Sequence, residues 1–414
     1  MNKSILNKYA ELLVKKGLNI QKGQDVFVTA SVEQPEFVAL VVNKLYKAGA
    51  RKVFVDFYYQ PLDKVTYNGA NTKAMCTLES FEKAKLEWRS EHLPARLMLV
   101  SDDPDGLKGV NQNKLMTIQQ ARAAILKPYR DEIDAKHQWC IAAVPGEKWA
   151  KKVFPGERKS VAIEKLWQAI LDCSLVTEDP VASWDDFNKQ IKQKCDYING
   201  LKLRKLYYKS KNGTNFNVTL NELGKFCGGY DTTLSGVNFN PNIPSLEIFT
   251  SPKFGACEGT VVATKPLSYQ GHLIENFSLT FTNGKVSSVK AEKNEELLRQ
   301  LVAIDEGSCM LGECALVPFD NPINNSGLLF YETLYDENAC CHLALGRGFP
   351  DCLFGYENMT KEEYHKNGIN DSSIHVDFMI GSADLEIVGE DAFGTKTTIF
   401  KNGNWAISEF NNKL

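Results

Sequence analysis

The chain has 414 residues, more than one compact domain usually holds, so its length predicts two domains. The hydrophobic content of 43% and the charged content of 24% are typical of a globular protein. The formal net charge of −3 excludes the strongly basic surface that a nucleic-acid-binding protein presents.

The eleven cysteines are an odd number, and no two of them have Cys-x-x-Cys spacing. This excludes zinc-finger and thioredoxin-like motifs and predicts reduced thiols, as in cytosolic proteins. The chain enters an amphipathic helix without a preceding apolar signal region, and no run of about 20 apolar residues occurs. We therefore expect a cytoplasmic protein that does not enter a membrane.

Helical and strand patterns alternate through the first half of the chain. Continuous apolar runs predict strands, whereas a period of three to four residues predicts helices between them. The predicted strands cover 25–29, 52–56, 97–100 and 139–144, and the main predicted helices cover 5–16, 37–46 and 119–126. This order predicts an α/β domain with a mostly parallel sheet over 1–198. No predicted strand is followed by a Gly-x-Gly-x-x-Gly motif or by a P-loop.

The pattern changes after a break at 195–200, where strands with tight turns replace the alternation. The pairs Asn283-Gly284 and Asn402-Gly403 each predict a hairpin with a type I′ turn. One helical pattern, at 294–301, interrupts the strands. We expect a strand-rich α+β domain over 199–414.

The segment 374–381 predicts a strand that carries two metal-ligating side chains on one face. Its apolar positions are β-branched or aromatic, and it ends at Gly381. Since alternate residues of a strand share a face, His375 and Asp377 point the same way. An imidazole beside a carboxylate is half of a metal site. The alternative is an ordinary half-exposed strand with two surface side chains.

Two carboxylates stand in unusually apolar surroundings. Glu247 lies between Leu246 and Ile248, and Glu313 lies in the apolar run 309–317. A carboxylate in such a strand requires compensation, which a metal cation, an arginine or a lysine supplies. No basic residue adjoins Glu313 in the sequence, which favours a metal.

Glu337 and His342 are five residues apart and do not share a helix face, so they converge only across a turn. The collected candidates are four carboxylates and two imidazoles: Glu247, Glu313, Glu337, His342, His375 and Asp377. This donor set is too hard for a structural zinc site and suits a pair of catalytic divalent ions. The alternative is that two or three of these residues are ordinary surface or turn residues.

The sequence resembles the thermophilic aminopeptidase family, metallopeptidases of the aminopeptidase T and aminopeptidase S type. Two long motifs carry the resemblance, Asp-Glu-Asn-Ala-Cys-Cys-His-Leu-Ala-Leu-Gly and His-Val-Asp-Phe-Met-Ile-Gly. The matching stretches span nearly the whole chain: 9–14, 48–50, 246–252, 259–262, 311–313, 336–346 and 375–381.

The resemblance implies an aminopeptidase with two divalent metal ions per chain, which the six candidates hold. It implies that Glu313 bridges the two ions and that the protein is a homodimer whose sites face an enclosed cavity, so that only small peptides enter. The family commonly has a tyrosine seven residues after the first histidine, where this chain has Phe349. If that hydroxyl serves the reaction, this chain lacks it. Tyr356 is a candidate substitute, but we expect it to be an ordinary loop tyrosine.

The hypothesis for the mechanism is hydrolysis of the N-terminal peptide bond by a water held between the ions, with Glu313 carrying the proton. The ions are zinc, cobalt, manganese or magnesium. The first alternative is a ring-cleaving dioxygenase of related fold with one non-haem iron. The second is a peptide-binding protein that has lost its metals. Cys340 and Cys341 beside His342 are expected to fill the core.

Overall fold

A computed structural model of the protein describes residues 1–411, which form two compact units. The first comprises Met1–Asp185 and Tyr230–Pro244, and the second comprises Asp186–Gly229 and the chain from Ser245 onward. The predicted boundary at 198 lies within a helix, and division of the chain into separate domains there stays a prediction.

The α-helices carry labels in chain order. They are α1 Lys3–Leu12, α2 Pro35–Lys47, α3 Gln60–Gly69, α4 Thr72–Met75, α5 Ser80–His92, α6 Gln112–Ile133, α7 Glu147–Val153, α8 Lys159–Cys173, α9 Pro180–Gly200, α10 Glu295–Leu301, α11 Pro322–Asn325, α12 Thr333–Asp336 and α13 Lys361–Lys366. A π-helical turn, Leu13–Gly17, continues α1. Within residues 1–411, no helix combines the length and apolarity needed to cross a membrane.

The strands are labelled in the same way. They are β1 Asp25–Ser31, β2 Lys52–Tyr58, β3 Ala95–Val100, β4 Trp139–Ala143, β5 Leu203–Lys209, β6 Asn215–Leu220, β7 Cys227–Gly228, β8 Asp231–Thr232, β9 Asn238–Phe239, β10 Asn242–Ile243, β11 Ile248–Thr250, β12 Pro252–Val262, β13 Leu267–Tyr269, β14 His272–Ile274, β15 Ser278–Thr282, β16 Lys285–Lys290, β17 Leu311–Leu316, β18 His342–Gly346, β19 His375–Met379, β20 Glu386–Asp391, β21 Lys396–Lys401 and β22 Asn404–Trp405.

The first unit is built on a parallel sheet of strand order β10-β4-β3-β1-β2. Strand β1, which lies between β3 and β2, is almost wholly buried, as its continuous apolar run predicts. The rings of Tyr9 and Phe37 stack at 5.5 Å, and Trp167 meets Phe37 at 5.3 Å, so α1, α2 and α8 share one aromatic core. The Tyr9 hydroxyl donates a hydrogen bond to the Ala143 carbonyl at 3.1 Å. The prediction of an α/β domain with a parallel sheet is confirmed.

The second unit contains two larger antiparallel sheets. One has eight strands in the order β16-β15-β12-β6-β5-β20-β21-β22, and the other has five in the order β19-β18-β17-β11-β7. Helix α10 interrupts the strands where the helical pattern predicts it. The prediction of a strand-rich second half is confirmed, and the five-stranded sheet carries the candidate ligands.

The two Asn-Gly pairs form the hairpin turns that the sequence predicts. Asn283 and Gly284 have φ angles of 50° and 73°, and they join β15 to β16. Asn402 and Gly403 have φ angles of 53° and 74°, and they join β21 to β22. Positive φ at both central residues is the requirement of a type I′ turn, which matches the twist of the flanking strands. The turns therefore fix the register of both hairpins.

Candidate metal centre

One face of the five-stranded sheet gathers most of the candidate ligands. On β17, Glu313 lies opposite Ala344 of β18, and Ala344 lies opposite Asp377 of β19. His342 and His375 each stand two residues from a member of this row, so they lie on the same face. Register between strands, together with the alternation within them, therefore brings together residues that are 64 positions apart in the chain.

Small residues make room for these side chains. Ala344 separates Glu313 from Asp377 in the transverse row, and Gly346 is the partner of His375 on the adjacent strand. A larger side chain at either place would occupy the space above the sheet into which the carboxylates and imidazoles extend. Gly346 also has a φ angle of 101°, and an added Cβ would lie 2.2 Å from the Ile374 carbonyl oxygen. The fold therefore requires glycine there on two counts.

Glu247 joins the same face from the neighbouring strand. It directly precedes β11, where Phe249 pairs with Ala315 of β17. Since Glu247 and Phe249 are alternate residues, the carboxylate points to the side on which Glu313 lies. His342 Nε2 is 3.0 Å from Glu247 Oε2, a distance that only a shared site explains for two side chains this deeply buried.

The donor atoms form two groups that have Glu313 in common. Glu247, Glu313 and His342 make the first group, and Glu313, His375 and Asp377 make the second. Within each group the donor atoms lie within 4.8 Å of one another. His375 Nε2 is 3.0 Å from Glu313 Oε2 and 3.3 Å from Asp377 Oδ1.

Both histidines are held with Nε2 toward the carboxylates. His375 Nδ1 is 2.7 Å from the Arg347 carbonyl oxygen, and His342 Nδ1 is 3.3 Å from the Cys340 carbonyl oxygen. A carbonyl only accepts, so Nδ1 carries the proton in each ring and donates it. The lone pair of Nε2 is then free to bind a metal, and backbone carbonyls that orient histidines in this way are common around metal sites.

Glu337 comes from the turn that connects α12 to β18. Its carboxylate is buried and close enough to Asp377, Glu247 and Glu313 for their charges to act on it. Glu337 and His342 are five residues apart, and they converge because Glu337–Ala339 forms a single 3₁₀ turn before β18. All six predicted residues are thus gathered at one place.

Asn338 also belongs to this centre, although the sequence analysis did not select it. Its Oδ1 accepts a hydrogen bond from the Leu246 amide at 2.6 Å, and its Nδ2 donates to the Leu334 carbonyl at 3.1 Å. The side chain is fully buried and ties the turn of Glu337 to the segment that carries Glu247. A polar amide directly after a candidate ligand and before the apolar residues 339–341 was the available signal.

Burial and mutual repulsion shift the protonation of the carboxylates. Burial, together with the charges of Glu247 and Asp377, raises the pKa of Glu313 to about 7 against the lowering effect of His375. Burial likewise raises the pKa of Glu337 well above its usual range. Burial also acts to raise the pKa of Asp377, but the neighbouring His375 cation holds it below its usual value.

The pKa values of the imidazoles are also raised, although burial acts on them in the opposite direction. Burial acts to lower the pKa of His342, but the Glu247 carboxylate raises it to about 9. Asp377 and Glu313 similarly raise the pKa of His375 well above its ordinary value, against the effect of burial. Protons are therefore held at this centre because the carboxylates require positive charge nearby.

The residues fit divalent metal ions. Glu247 Oε2 and Asp377 Oδ1 are buried, and each has an imidazole Nε2 beside it, His342 Nε2 at 3.0 Å from Glu247 and His375 Nε2 at 3.3 Å from Asp377. Buried carboxylates that converge with imidazole Nε2 atoms in this way are costly without positive charge, which a divalent cation bound by the same atoms supplies. The thiols of Cys340 and Cys341 are not part of this donor set, because both are buried in the core and burial raises the pKa of Cys340 to about 11. The donor set is oxygen and imidazole, as catalytic rather than structural sites use.

Phe349 lies at the edge of the centre. Its ring is 4.8 Å from that of His375 and 5.5 Å from that of Phe249. The side chain is half-buried, and its amide donates a hydrogen bond to Ser251 Oγ at 2.7 Å. Tyr356 lies beside the Lys225 ammonium, 5.4 Å from its ring centroid. Phe349 thus supplies an apolar surface where a tyrosine would also supply a hydroxyl.

Residues 2–405 match the model of the thermophilic metalloprotease family M29, and the chain belongs to this family of metal-dependent peptidases. Aminopeptidase AmpS of Bacillus subtilis is 41% identical over 403 residues, covering 97% of this chain and 98% of that protein. Aminopeptidase T of Thermus thermophilus is 37% identical over 411 residues, covering 97% and 98%.

The solved structure of wild-type AmpT from Thermus thermophilus has the same fold. Its TM-score is 0.90 at 36% identity, and the match covers 98% of this chain and 100% of that one. The structure of 2,5-dihydroxypyridine dioxygenase from Pseudomonas putida is 14% identical with a TM-score of 0.49, too low to carry an argument. The predicted family, the fold class and an enzyme that hydrolyses peptide bonds are confirmed.

The raised pKa values predict how the metal-free protein responds to pH. Folding raises the pKa of Glu313 from 4.5 to about 7 and that of His342 from 6.5 to about 9, so the folded state binds protons more tightly than the unfolded state. The stability that this contributes is present below the unfolded pKa values and is lost as pH rises through the folded ones. In chelator, the melting temperature should therefore fall between pH 6 and pH 9.

Differential scanning fluorimetry across this range checks the prediction. Substitution Glu313→Gln should flatten the decline, since it removes the group that titrates near pH 7. Asp384→Asn is the matched control, because the pKa of Asp384, lowered to about 2 by hydrogen bonds from Ser382, the Lys211 amide and Ser210, lies outside the range. A melting temperature that stays level or rises from pH 6 to pH 9 in chelator would contradict the electrostatic account.

Proposed function

We propose that the protein is an aminopeptidase that removes the N-terminal residue of small peptides and uses two divalent metal ions per chain. The single observation that carries the proposal is that two groups of donor atoms share Glu313. A carboxylate has two oxygens, so one side chain serves two ions at once. The similar proteins are named as aminopeptidases, which supports an aminopeptidase rather than another kind of peptidase.

The proposed ligands are the six candidates of the centre. Glu247 and His342 would hold one ion and His375 and Asp377 the other, with Glu313 common to both groups and Glu337 beside them. When bound, such a pair of ions supplies an activated water held between them and polarises the carbonyl of the scissile bond. A carboxylate-rich set of this kind accepts zinc, cobalt, manganese or magnesium.

Glu313 is the proposed carrier of the proton. In the metal-free chain burial is the main cause that raises its pKa to about 7, and cations bound beside it would lower that pKa and keep the carboxylate ionised as a base. It takes the proton of the attacking water and delivers it to the nitrogen of the leaving amine. Hydrogen bonds that both histidines donate from Nδ1 to backbone carbonyls keep the surrounding donors fixed while this happens.

The charge of the centre favours the free N-terminus of a peptide. Four carboxylates face two imidazoles here, and the ammonium group of an unblocked peptide is the complementary charge. Phe349 and Phe249 form an apolar wall beside His375, which suits the side chain of the first residue or the peptide backbone next to it. Binding of the free amine explains removal of one residue at a time.

Two further features are proposed from the family resemblance. The enzyme is a homodimer whose sites face an enclosed cavity, and it acts in the cytoplasm. Eleven cysteines without a disulfide among the described residues support a reducing compartment. Sedimentation equilibrium measures the first feature directly, since a dimer has twice the 46.4 kDa of one chain.

Hydrolysis of matched peptides tests the proposed activity. Free amino acid should be released from a small unblocked peptide but not from its N-acetylated form, and chelator should abolish the release. Substitution Glu313→Gln should reduce kcat by a factor on the order of a thousand, because it removes both the shared ligand and the proton carrier. Asp384→Asn, on the surface of the same unit, is the control that should leave the rate unchanged.

Equal cleavage of blocked and unblocked peptides would rule out the aminopeptidase. Chelator-resistant cleavage would rule out the metal. Consumption of dioxygen with a dihydroxypyridine in place of peptide hydrolysis would favour the ring-cleaving alternative.

A tyrosine at position 349 should raise the rate. Phe349 contacts His375, so the hydroxyl of Phe349→Tyr would lie at the edge of the centre and donate a hydrogen bond to the oxygen that gains charge during the reaction. We expect kcat to rise on the order of tenfold with little change in KM. Phe249→Tyr, which adds a hydroxyl to the neighbouring ring, is the control. An unchanged or lower kcat for Phe349→Tyr would show that the phenyl ring serves binding alone.

A further inference from the structure

Two cysteines meet beside the turn that follows Phe349. Cys352 ends this 3₁₀ turn, Pro350–Cys352. Cys227 begins β7, the strand next to β11. The Cys227 thiol donates a hydrogen bond to the Asp351 carbonyl oxygen at 3.5 Å, and this carbonyl belongs to the peptide bond that leads into Cys352. The sulfur of Cys227 therefore points toward the residue that carries the second thiol.

The backbone holds the two segments together next to these thiols. The Lys225 amide donates a hydrogen bond to the Cys352 carbonyl oxygen at 2.8 Å. Gly224 and Leu353 form an antiparallel bridge one step further along. The segment that leads to Cys227 and the turn that ends at Cys352 thus form a short antiparallel ladder. Backbone contacts fix the positions of both segments, which do not depend on the thiols themselves.

The two thiols also act on each other directly. Burial, together with a hydrogen bond and the charge of the Cys227 thiol, raises the pKa of Cys352 well above its ordinary value. A disulfide has a fixed short geometry, so close approach of the two sulfur atoms is the first requirement for forming one. This pair meets that requirement.

The two thiols differ in exposure. Cys227 is half-buried, whereas Cys352 is fully buried. A dissolved oxidant therefore reaches Cys227 first, because reaction of a cysteine requires access to its sulfur. The adjacent thiols of Cys340 and Cys341 are both buried and offer no such point of entry.

Cys195 of α9 is the competing partner for Cys227. Burial, with the charge of the Cys227 thiol, raises the pKa of Cys195 to about 12, so these two thiols are also close. The hydrogen bond from Cys227 Sγ goes to the Asp351 carbonyl, however, and this directs the sulfur to Cys352. The geometry favours Cys352 as the partner.

We propose that Cys227 and Cys352 are a reversible modification site, at which a low-molecular-weight disulfide oxidises the two thiols to a disulfide within the chain. The Cys227 thiol loses its proton and attacks one sulfur of the oxidant, so that a mixed disulfide forms and one small thiolate leaves. Cys352 then loses its proton, attacks the Cys227 sulfur and displaces the second small thiolate. The departing thiolates take up the two protons, so the protein loses two hydrogen atoms and the oxidant becomes two thiols.

The new bond would move the turn that follows Phe349. The Phe349 ring lies 4.8 Å from that of His375 and 5.5 Å from that of Phe249, the backbone partner of Cys227. A sulfur–sulfur bond of about 2 Å is much shorter than the contact between two thiols, so closing it draws the turn toward β7. Strands β7 and β19 are at opposite edges of the sheet, so this movement is away from His375. The effect on substrate rests on the proposed function, in which Phe349 lines the substrate site.

Peptide mapping by mass spectrometry tests the site after the metal-loaded enzyme has been incubated with oxidised glutathione. The peptides of Cys227 and Cys352 should be joined, without glutathione, and dithiothreitol should separate them. In Cys352→Ala, glutathione should stay on Cys227. Cys76, a half-buried cysteine of the first unit, is the matched control and should take up glutathione without joining another peptide. A wild-type map in which Cys227 keeps glutathione, joins Cys195 or stays unmodified would overturn the proposal.

Release of amino acid from a small unblocked peptide tests the consequence. Oxidation should raise KM at least about threefold with little change in kcat, because the turn adjoins a substrate contact and carries no proposed metal ligand. Dithiothreitol should restore KM. Cys227→Ser and Cys352→Ala should not respond to oxidation, whereas Cys76→Ser should respond as the wild type does.

The two arms fail in different ways. An unchanged KM in fully cross-linked enzyme would overturn the effect of the disulfide on the substrate site. A reduced enzyme that releases no amino acid would contradict the proposed function instead, and the peptide map would still decide whether the disulfide forms.

Discussion

The structure of the second unit depends on one electrostatic constraint, the burial of four carboxylates at a single place. Glu313, Glu337, Glu247 and Asp377 repel one another at this place. Burial and this repulsion together raise the pKa of the first two. Two imidazoles balance only part of this charge. Divalent cations would balance the remaining negative charge, so the same ions would stabilise the fold and serve catalysis.

The five-stranded sheet meets this constraint with ordinary means. Antiparallel register sets Glu313 and Asp377 in one row with Ala344 between them, and that alanine is small enough to leave the space above it to the two carboxylates. Backbone carbonyls orient both histidines, and Asn338 fastens the turn that carries Glu337. The donors are thus held before any metal binds, as a catalytic centre requires.

Much of this centre could be predicted from local pattern, because a strand fixes the direction of alternate side chains. His375 and Asp377 were predicted to share a face, and the apolar surroundings of Glu247 and Glu313 indicated a buried cation. The sequence pattern could not predict that Glu337 and His342 converge, because their approach depends on a 3₁₀ turn whose direction is set by tertiary contacts. Asn338 was not selected from the sequence for the same reason, because its hydrogen-bond partner Leu246 lies 92 positions away. The continuous apolar runs of the first sheet predicted its parallel strands. Residues 230–244 return to the first unit and add strand β10 to this sheet, but no local pattern in the sequence indicates this return.

The central claim is that two cations meet at Glu313. Diffraction at the absorption edge of the metal that the purified protein carries measures this most directly, because anomalous peaks locate ions independently of the protein atoms. The account predicts two peaks per chain, each within coordination distance of a Glu313 oxygen, one beside Glu247 and His342 and the other beside His375 and Asp377. A single peak, or none on this face of the sheet, would contradict it.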